Sequence, residues 1–236
     1  MNSAITQTIV SPKALAEVPL FQGLETSQLI WLAGQLRYKT FPPGTNIITA
    51  DTPGELVYII LRGTVKIHIE QVGGSDVVLA ILGAGDTVGE MSLVDTAGRS
   101  ASVLTLEEST LLWMDRPTFQ DALHRFPELS LNLVRILSNR VRLANELIQA
   151  LATLDVYGRV ARQLLAFAEK YGHCNSNGEI KIPIFLTQSD IADLVGASRK
   201  RVNQVMVTFK QLGITSIDAD GRITVHKHDA LMRYCR

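Results

Sequence analysis

Apolar and polar positions alternate with two different rhythms along this chain. Residues 19–36, PLFQGLETSQLIWLAGQL, place apolar side chains at helical spacing after Thr26-Ser27, which can cap a helix. From Phe41 to about Asp115 the rhythm shortens to β-rich runs broken by glycines: LVYIILRG, TVKIHIEQ, VVLAILGAG, SASVLTL and STLLWMD. Several short strands at this spacing predict a small barrel or jelly roll. The alternation is clearest in Val65-Lys66-Ile67-His68-Ile69-Glu70, with one aliphatic and one polar face.

From Arg116 the period becomes helical. Residues 128–154 contain neither Gly nor Pro, which allows about 40 Å of uninterrupted helix. A three-four seam runs through Leu133, Leu137, Arg140, Ala144, Leu147, Leu151 and Leu154. Such a seam fits a helix packed against a copy of itself; the same pattern also fits a helix buried on its own barrel. Arg140 interrupts the leucines, and a charge there is costly unless paired, so a polar partner is expected beside the helix midpoint. Asp155-Val156-Tyr157-Gly158-Arg159 then breaks into a last domain. It reads as a helix over 159–171, a short strand, two helices around Gly196 and a final hairpin ending in ITVHK.

The segment QSDIADLVGASRKRVNQVMVTF has the pattern of a helix-turn-helix. With Gln188 as position one, Ala192 falls fifth, Gly196 ninth and Val202 fifteenth. Ala192 is small where two helices would cross closely, and Gly196 permits the positive φ of a tight turn. Ile191, Leu194, Val202 and Val205 supply the apolar lock. Ser198 can cap the second helix, whose N-terminal half then carries Arg199, Lys200, Val202, Asn203 and Gln204. That half enters the major groove in such motifs, where Arg suits guanine and Asn or Gln suits adenine. The bland alternative is a helical hairpin with a solvated basic edge.

Charge bears on that choice. The 236 residues carry no formal net charge, yet residues 156–236 hold 12 Lys and Arg against 7 Asp and Glu, and the remainder is acidic by the same margin. A basic C-terminal third is what a phosphate-binding surface needs. At 46% hydrophobic and 19% charged residues, the composition is that of a globular protein of two domains. No apolar run approaches a bilayer span, and the opening MNSAITQTIVSPK does not read as a signal peptide. Cys174 and Cys235 are the only cysteines. They are too few for an iron–sulfur cluster or a cysteine-rich zinc site and fit a reducing cytoplasm.

A second informative stretch is GAGDTVGEMSLVDTAGRSASV. Gly89-Glu90, at the start of a short helical turn, would expose backbone N–H groups to an anion. Arg99 can add a bidentate cation and Ser100 a further donor. Glu90 only accepts when ionised, so it suits a sugar hydroxyl rather than a phosphate. Together these are the donors and acceptor that a cyclic nucleotide requires. Taken alone, the stretch equally fits a surface turn with a Glu–Arg ion pair.

From about Pro19 to the end, the chain resembles the cyclic-AMP receptor protein/fumarate-nitrate regulator (CRP/FNR) family of bacterial transcription regulators. The resemblance rests on GTVKI, on G-E-x-S-L…R-S-A over Gly89, Glu90, Met91, Ser92, Arg99 and Ser100, on L-D-V-x-G-R, and on LTQSDIADLVGASR. It implies an α+β chain: a tail over 1–18, a β-roll (jelly-roll) cyclic-nucleotide-binding-like sensor over 19–127, a dimerisation helix and hinge over 128–155, and a winged helix-turn-helix over 156–236. It also implies cyclic AMP as effector, held by those residues with Arg140 and Asn145, and Arg140 approaching Glu90. The implied partners are a second copy of the chain, a palindromic DNA operator met by Gln188, Ser198, Arg199, Lys200, Arg201, Asn203 and Gln204, and RNA polymerase. No membrane partner is implied.

Three positions depart from the pattern that the resemblance implies. Ala144 replaces a threonine expected to touch adenine, Gln204 stands at an often basic position, and Lys200 replaces the usual glutamate, so the operator is expected to differ at the base pair that Lys200 reads. The alternative is a regulator of the same fold that answers to another small anion, such as 2-oxoglutarate, or acts without a ligand. A cupin-like metal enzyme would need clustered ligands, and of the histidines only His68 falls in the barrel strands. For the same reason neither haem nor metal is expected, and with no nucleophile–base pair the chain is not expected to be an enzyme.

Overall fold

The computed structural model describes residues 11–70, 76–95 and 97–235. The chain divides into two compact units, 1–69 with 81–141 and 70–80 with 142–236. Short helices open the first unit: α1 (Pro12–Ala16), a 3-10 turn (Pro19–Phe21) and α2 (Thr26–Gln35). Eight strands follow: β1 (Arg37–Phe41), β2 (Asn46–Ile48), β3 (Leu56–Arg62), β4 (Val65–Glu70), β5 (Asp76–Leu82), β6 (Thr87–Val88), β7 (Ser102–Thr105) and β8 (Ser109–Asp115), with α3 (Met91–Val94) between β6 and β7. They form two four-stranded sheets, ordered β1-β8-β3-β6 and β2-β7-β4-β5. These sheets make the expected β-roll, followed by α4 (Arg116–Arg125) and the long α5 (Pro127–Thr153).

The sheet of β3 and β8 is buried on both faces, which is why LVYIIL shows no alternation. Val57, Ile59, Leu112 and Met114 turn toward the helices and meet Leu20, Phe21, Leu32, Phe119, Leu129 and Leu133 in one core. Leu15 belongs to that core and is fully buried, which corrects the expectation of a tail over 1–18. Pro12 starts α1, the Ser11 hydroxyl accepts from the Ala14 amide at 3.2 Å, and Leu15 anchors the turn. Residues 1–10 of the expected tail lie outside the described residues. The cap of α2 also moves one residue back: Gln28 Oε1 accepts from the Glu25 amide at 2.9 Å, and Thr26 is already helical.

The expected α5 seam is turned by one position. Leu133 is 5% exposed within the sensor core, and Leu137 packs partly against it. Val134, Val141 and Ile148, seven residues apart, are 58%, 60% and 64% exposed. Together with Leu137, Ala144 and Leu151 they make a heptad, with β-branched residues at one core position and leucine or alanine at the other.

The second unit contains α6 (Val156–Tyr171), β9 (His173–Cys174), β10 (Ile180–Ile182), α7 (Gln188–Leu194), α8 (Arg199–Gln211), β11 (Thr215–Ile217), β12 (Ile223–Val225) and α9 (His228–Tyr234). Its strands form a sheet ordered β11-β12-β10-β9. The wing is therefore larger than a hairpin, and α9 had no counterpart in the sequence reading. Tyr234 stacks on Tyr157 at 6.0 Å and tilts against Phe209 at 5.1 Å. Gly158 lets this happen, because a Cβ there would stand 2.6 Å from the Tyr234 carbonyl oxygen. Among the described residues no helix is long and apolar enough to cross a membrane.

Candidate effector and DNA-binding sites

In the first unit, the β6–α3 turn gathers the sensor residues around a buried carboxylate. Gly89 has φ +84°, and a Cβ on it would stand 2.5 Å from Arg99 Nη1 and 3.0 Å from the Leu56 carbonyl oxygen. Glycine is thus required here by both conformation and space. Glu90 follows and is 1% exposed. Its Oε1 accepts from Arg140 Nη1 at 2.5 Å, and Arg140 Nη2 donates to the Thr87 carbonyl, also at 2.5 Å. The polar partner expected for Arg140 is therefore Glu90. The second carboxylate oxygen, Glu90 Oε2, is buried with no hydrogen-bond partner. A buried acceptor oxygen without a donor is costly, and an external hydroxyl or N–H group would satisfy it.

Arg99 is 7% exposed and holds the turn from behind. Its Nη1 donates to the Gly89 carbonyl at 2.7 Å and to Ser92 Oγ at 2.9 Å, and its Nη2 to the Leu56 carbonyl at 2.6 Å. The guanidinium thus faces neutral acceptors of its own unit. Burial lowers its pKa, Tyr58 offsets part of the shift, and Arg116 adds to the lowering. Ser92 is buried, whereas Met91 and Ser100 are exposed. The first unit thus brings together Gly89, Glu90, Ser92, Arg99 and Arg140. Asn145 lies exposed on α5 in the second unit. Sequence reasoning missed Thr87, whose carbonyl fixes Arg140, and Arg116, whose Nη2 donates to the Ser92 carbonyl at 2.9 Å. Thr87 lies within the glycine-bearing stretch but acts through its backbone carbonyl, which no side-chain pattern marks, and Arg116 lies outside that stretch. Among the described residues no group of three or more His, Cys, Asp or Glu side chains could hold a metal ion.

In the second unit the helix-turn-helix is built as its spacing demands. Thr187 caps α7, its hydroxyl accepting from the Asp190 amide at 3.1 Å, while Asp190 Oδ2 accepts from the Thr187 amide at 3.1 Å. Ala192 is 2% exposed at the helix crossing, and Gly196 takes φ +61° in the turn. Arg159 Nη1 donates to the carbonyls of Val195 and Gly196 at 2.8 and 3.2 Å, tying the turn to α6. The Ser198 hydroxyl caps α8 by accepting from the Arg201 amide at 3.3 Å. Val202, Val205, Met206 and Phe209 form the buried stripe of α8. Arg199, Lys200, Arg201, Asn203 and Gln204 are all exposed, with Gln188 half-buried at the start of α7.

Comparison with known proteins agrees with both halves. The cyclic nucleotide-binding domain family matches residues 38–126, and the Crp-like helix-turn-helix domain family matches residues 158–234. A "CRP-like cAMP-activated global transcriptional regulator" of Mycobacterium tuberculosis is 38% identical over 199 residues, which are 84% of this chain and 88% of that protein. The "Cyclic AMP receptor protein" of Thermus thermophilus is 29% identical over 200 residues, covering 84% of this chain and 88% of that one. The solved structure of a CooA mutant from Carboxydothermus hydrogenoformans shares the fold, with a TM-score of 0.71 at 24% identity over 99% of this chain and 98% of its own. A sensor roll, a long central helix and a capped helix-turn-helix, joined in this order and matched along most of their length, place this chain in the CRP/FNR family of DNA-binding transcription regulators, which are not enzymes.

Proposed function

We propose that two copies of the chain pair along α5 and that cyclic AMP, bound in the N-terminal roll, controls how the pair holds a palindromic operator. The observation that carries the effector half is Glu90 Oε2, a buried acceptor without a donor. A ribose hydroxyl supplies the missing donor. Cyclic AMP also brings a phosphate, for which Arg99 and Ser100 are the donors, backed by Gly89, Met91 and Ser92; Asn145 is assigned to the adenine. A phosphate would compete with the neutral acceptors that now hold Arg99, and a charge-assisted bond is about twice as strong as a neutral one. The Mycobacterium tuberculosis relative, named as a cAMP-activated regulator, points the same way.

The exposed heptad of Val134, Val141 and Ile148 supports the pairing, since an apolar column of this length on a helix otherwise remains in water. Pairing would set two copies of α8 about one DNA turn apart, roughly 34 Å, with Gln188, Ser198, Arg199, Lys200, Arg201, Asn203 and Gln204 as the contacts. RNA polymerase is the further partner of a regulator bound at a promoter. The ligand acts only through its different affinity for two arrangements of the pair.

The test is a titration of operator affinity with cyclic AMP, cyclic GMP and 2-oxoglutarate at fixed salt, because phosphate-driven affinity varies steeply with ionic strength. Cyclic AMP alone should tighten binding. Equal affinity with and without it would defeat the effector reading.

A further inference from the structure

Asn203 stands on the exposed face of α8, one turn after Arg199 and three residues after Lys200. The orientation of its amide is set from outside the helix. Gln188, the first residue of α7, reaches across so that its Nε2 donates to Asn203 Oδ1 at 2.9 Å. An asparagine that reads adenine uses both ends of its amide, Oδ1 accepting from N6 and Nδ2 donating to N7. With Gln188 on its oxygen, the Asn203 NH2 group is the end of the amide that remains to donate. Arg199 and Lys200, its neighbours on that face, are also donors. The amide oxygen of Gln204 is likewise engaged, by Arg201 Nη1 at 3.3 Å.

We propose that Gln188 is a positioning residue that turns Asn203 into a donor, so that Asn203 favours a base edge rich in acceptors over that of adenine. Guanine, with O6 and N7, fits best, and thymine, with O4, comes next. Adenine N6 and cytosine N4 would bring a second donor against the Asn203 NH2 group. The proposal rests on α8 being the helix that enters the major groove, and it adds which base class one of its side chains reads.

A Gln188–Asn203 bond that merely tied α7 to α8 would change affinity evenly across sequences without redirecting base choice. Binding selection from random duplexes, using the full chain with cyclic AMP, separates the two. Asn203→Ala should remove a guanine or thymine preference of about tenfold at one position of each half-site. Gln188→Glu should redirect that position, because a carboxylate only accepts; it would draw Asn203 Nδ2 and turn Oδ1 outward, moving the preference to adenine or cytosine by a similar factor. Adenine preferred by the parent at the Asn203-dependent position would overturn the proposal. So would a Gln188→Glu variant with unchanged preference there, or the lack of any Asn203-dependent position. Arg199→Ala, selected in parallel, locates a failure: if it loses a base preference while Asn203→Ala loses none, the groove reading of α8 stands and only this proposal falls. If neither changes any preference, the groove reading falls as well.

Discussion

Glu90 Oε1 and Arg140 Nη1 meet at 2.5 Å, joining the β6–α3 turn to a helix residue fifty positions further along the chain. The glutamate side chain is 2% exposed and the arginine 26%, so most of the desolvation falls on the carboxylate. Arg140→Leu would leave a buried carboxylate without a counter-charge. We expect a loss of about 2–3 kcal/mol of stability, below the range for a fully buried pair because Arg140 is partly solvated. Urea unfolding of the sensor checks the value. Adding Glu90→Gln to Arg140→Leu should restore more than half of it, whereas strictly additive losses would show that the two groups are not coupled.

Gly89→Ala combines a positive φ with a Cβ 2.5 Å from Arg99 Nη1. The conformation alone costs about 1–2 kcal/mol, and the overlap pushes Arg99 off its carbonyl acceptors. Thermal unfolding should show a lowered sensor transition, and calorimetry should show weaker cyclic AMP binding. A variant with parental values in both would mean that the turn relaxes freely.

Ile148→Glu places a charge at the most exposed apolar position of the α5 heptad, 64% accessible in the single chain. Since the residue contributes little to the core of its own subunit, secondary structure should persist. Sedimentation velocity should show a shift toward monomer, and operator binding should weaken at the same protein concentration. An unshifted dimer would move the pairing surface elsewhere.

In the wing, Glu179 is held below the 4.5 of an ordinary glutamate, first by the hydrogen bond from Asn175 and then by that from His226. The unfolded chain therefore takes up this proton before the folded one as pH falls. The contribution is fully present above about 4.5 and is lost on acidification through the lower folded value. Glu179→Gln should flatten that part of the stability–pH curve as pH falls below about 4.5, measured by urea unfolding of the full chain. An unchanged slope would show that the pair leaves folding indifferent to this proton.

Much of the helix-turn-helix was legible because each position carries a steric demand that few residues meet: Ala192 at a crossing, Gly196 at positive φ, Ser198 as a cap. Arg140 was legible as an anomaly, a charge among leucines that had to find a partner. The α5 seam was harder to read because two adjacent faces of the helix are apolar, one turned to its own core and one to solvent. Spacing alone does not say which is which. The helix α9 was illegible for another reason: seven residues seldom form a helix on their own, and this one is held by Tyr157 and Phe209 from distant positions. The strands β1 and β2 are short, and their identity comes from pairing with β8 and β7.

Arg159 has a consequence for how any signal travels. It sits in the first turn of α6, and its guanidinium grips both carbonyls of the bend between α7 and α8. The α7–α8 bend is thereby tied to the entrance of its own domain. A rotation at the start of α6 would therefore be passed to α8 through this contact as well as through the packing between them.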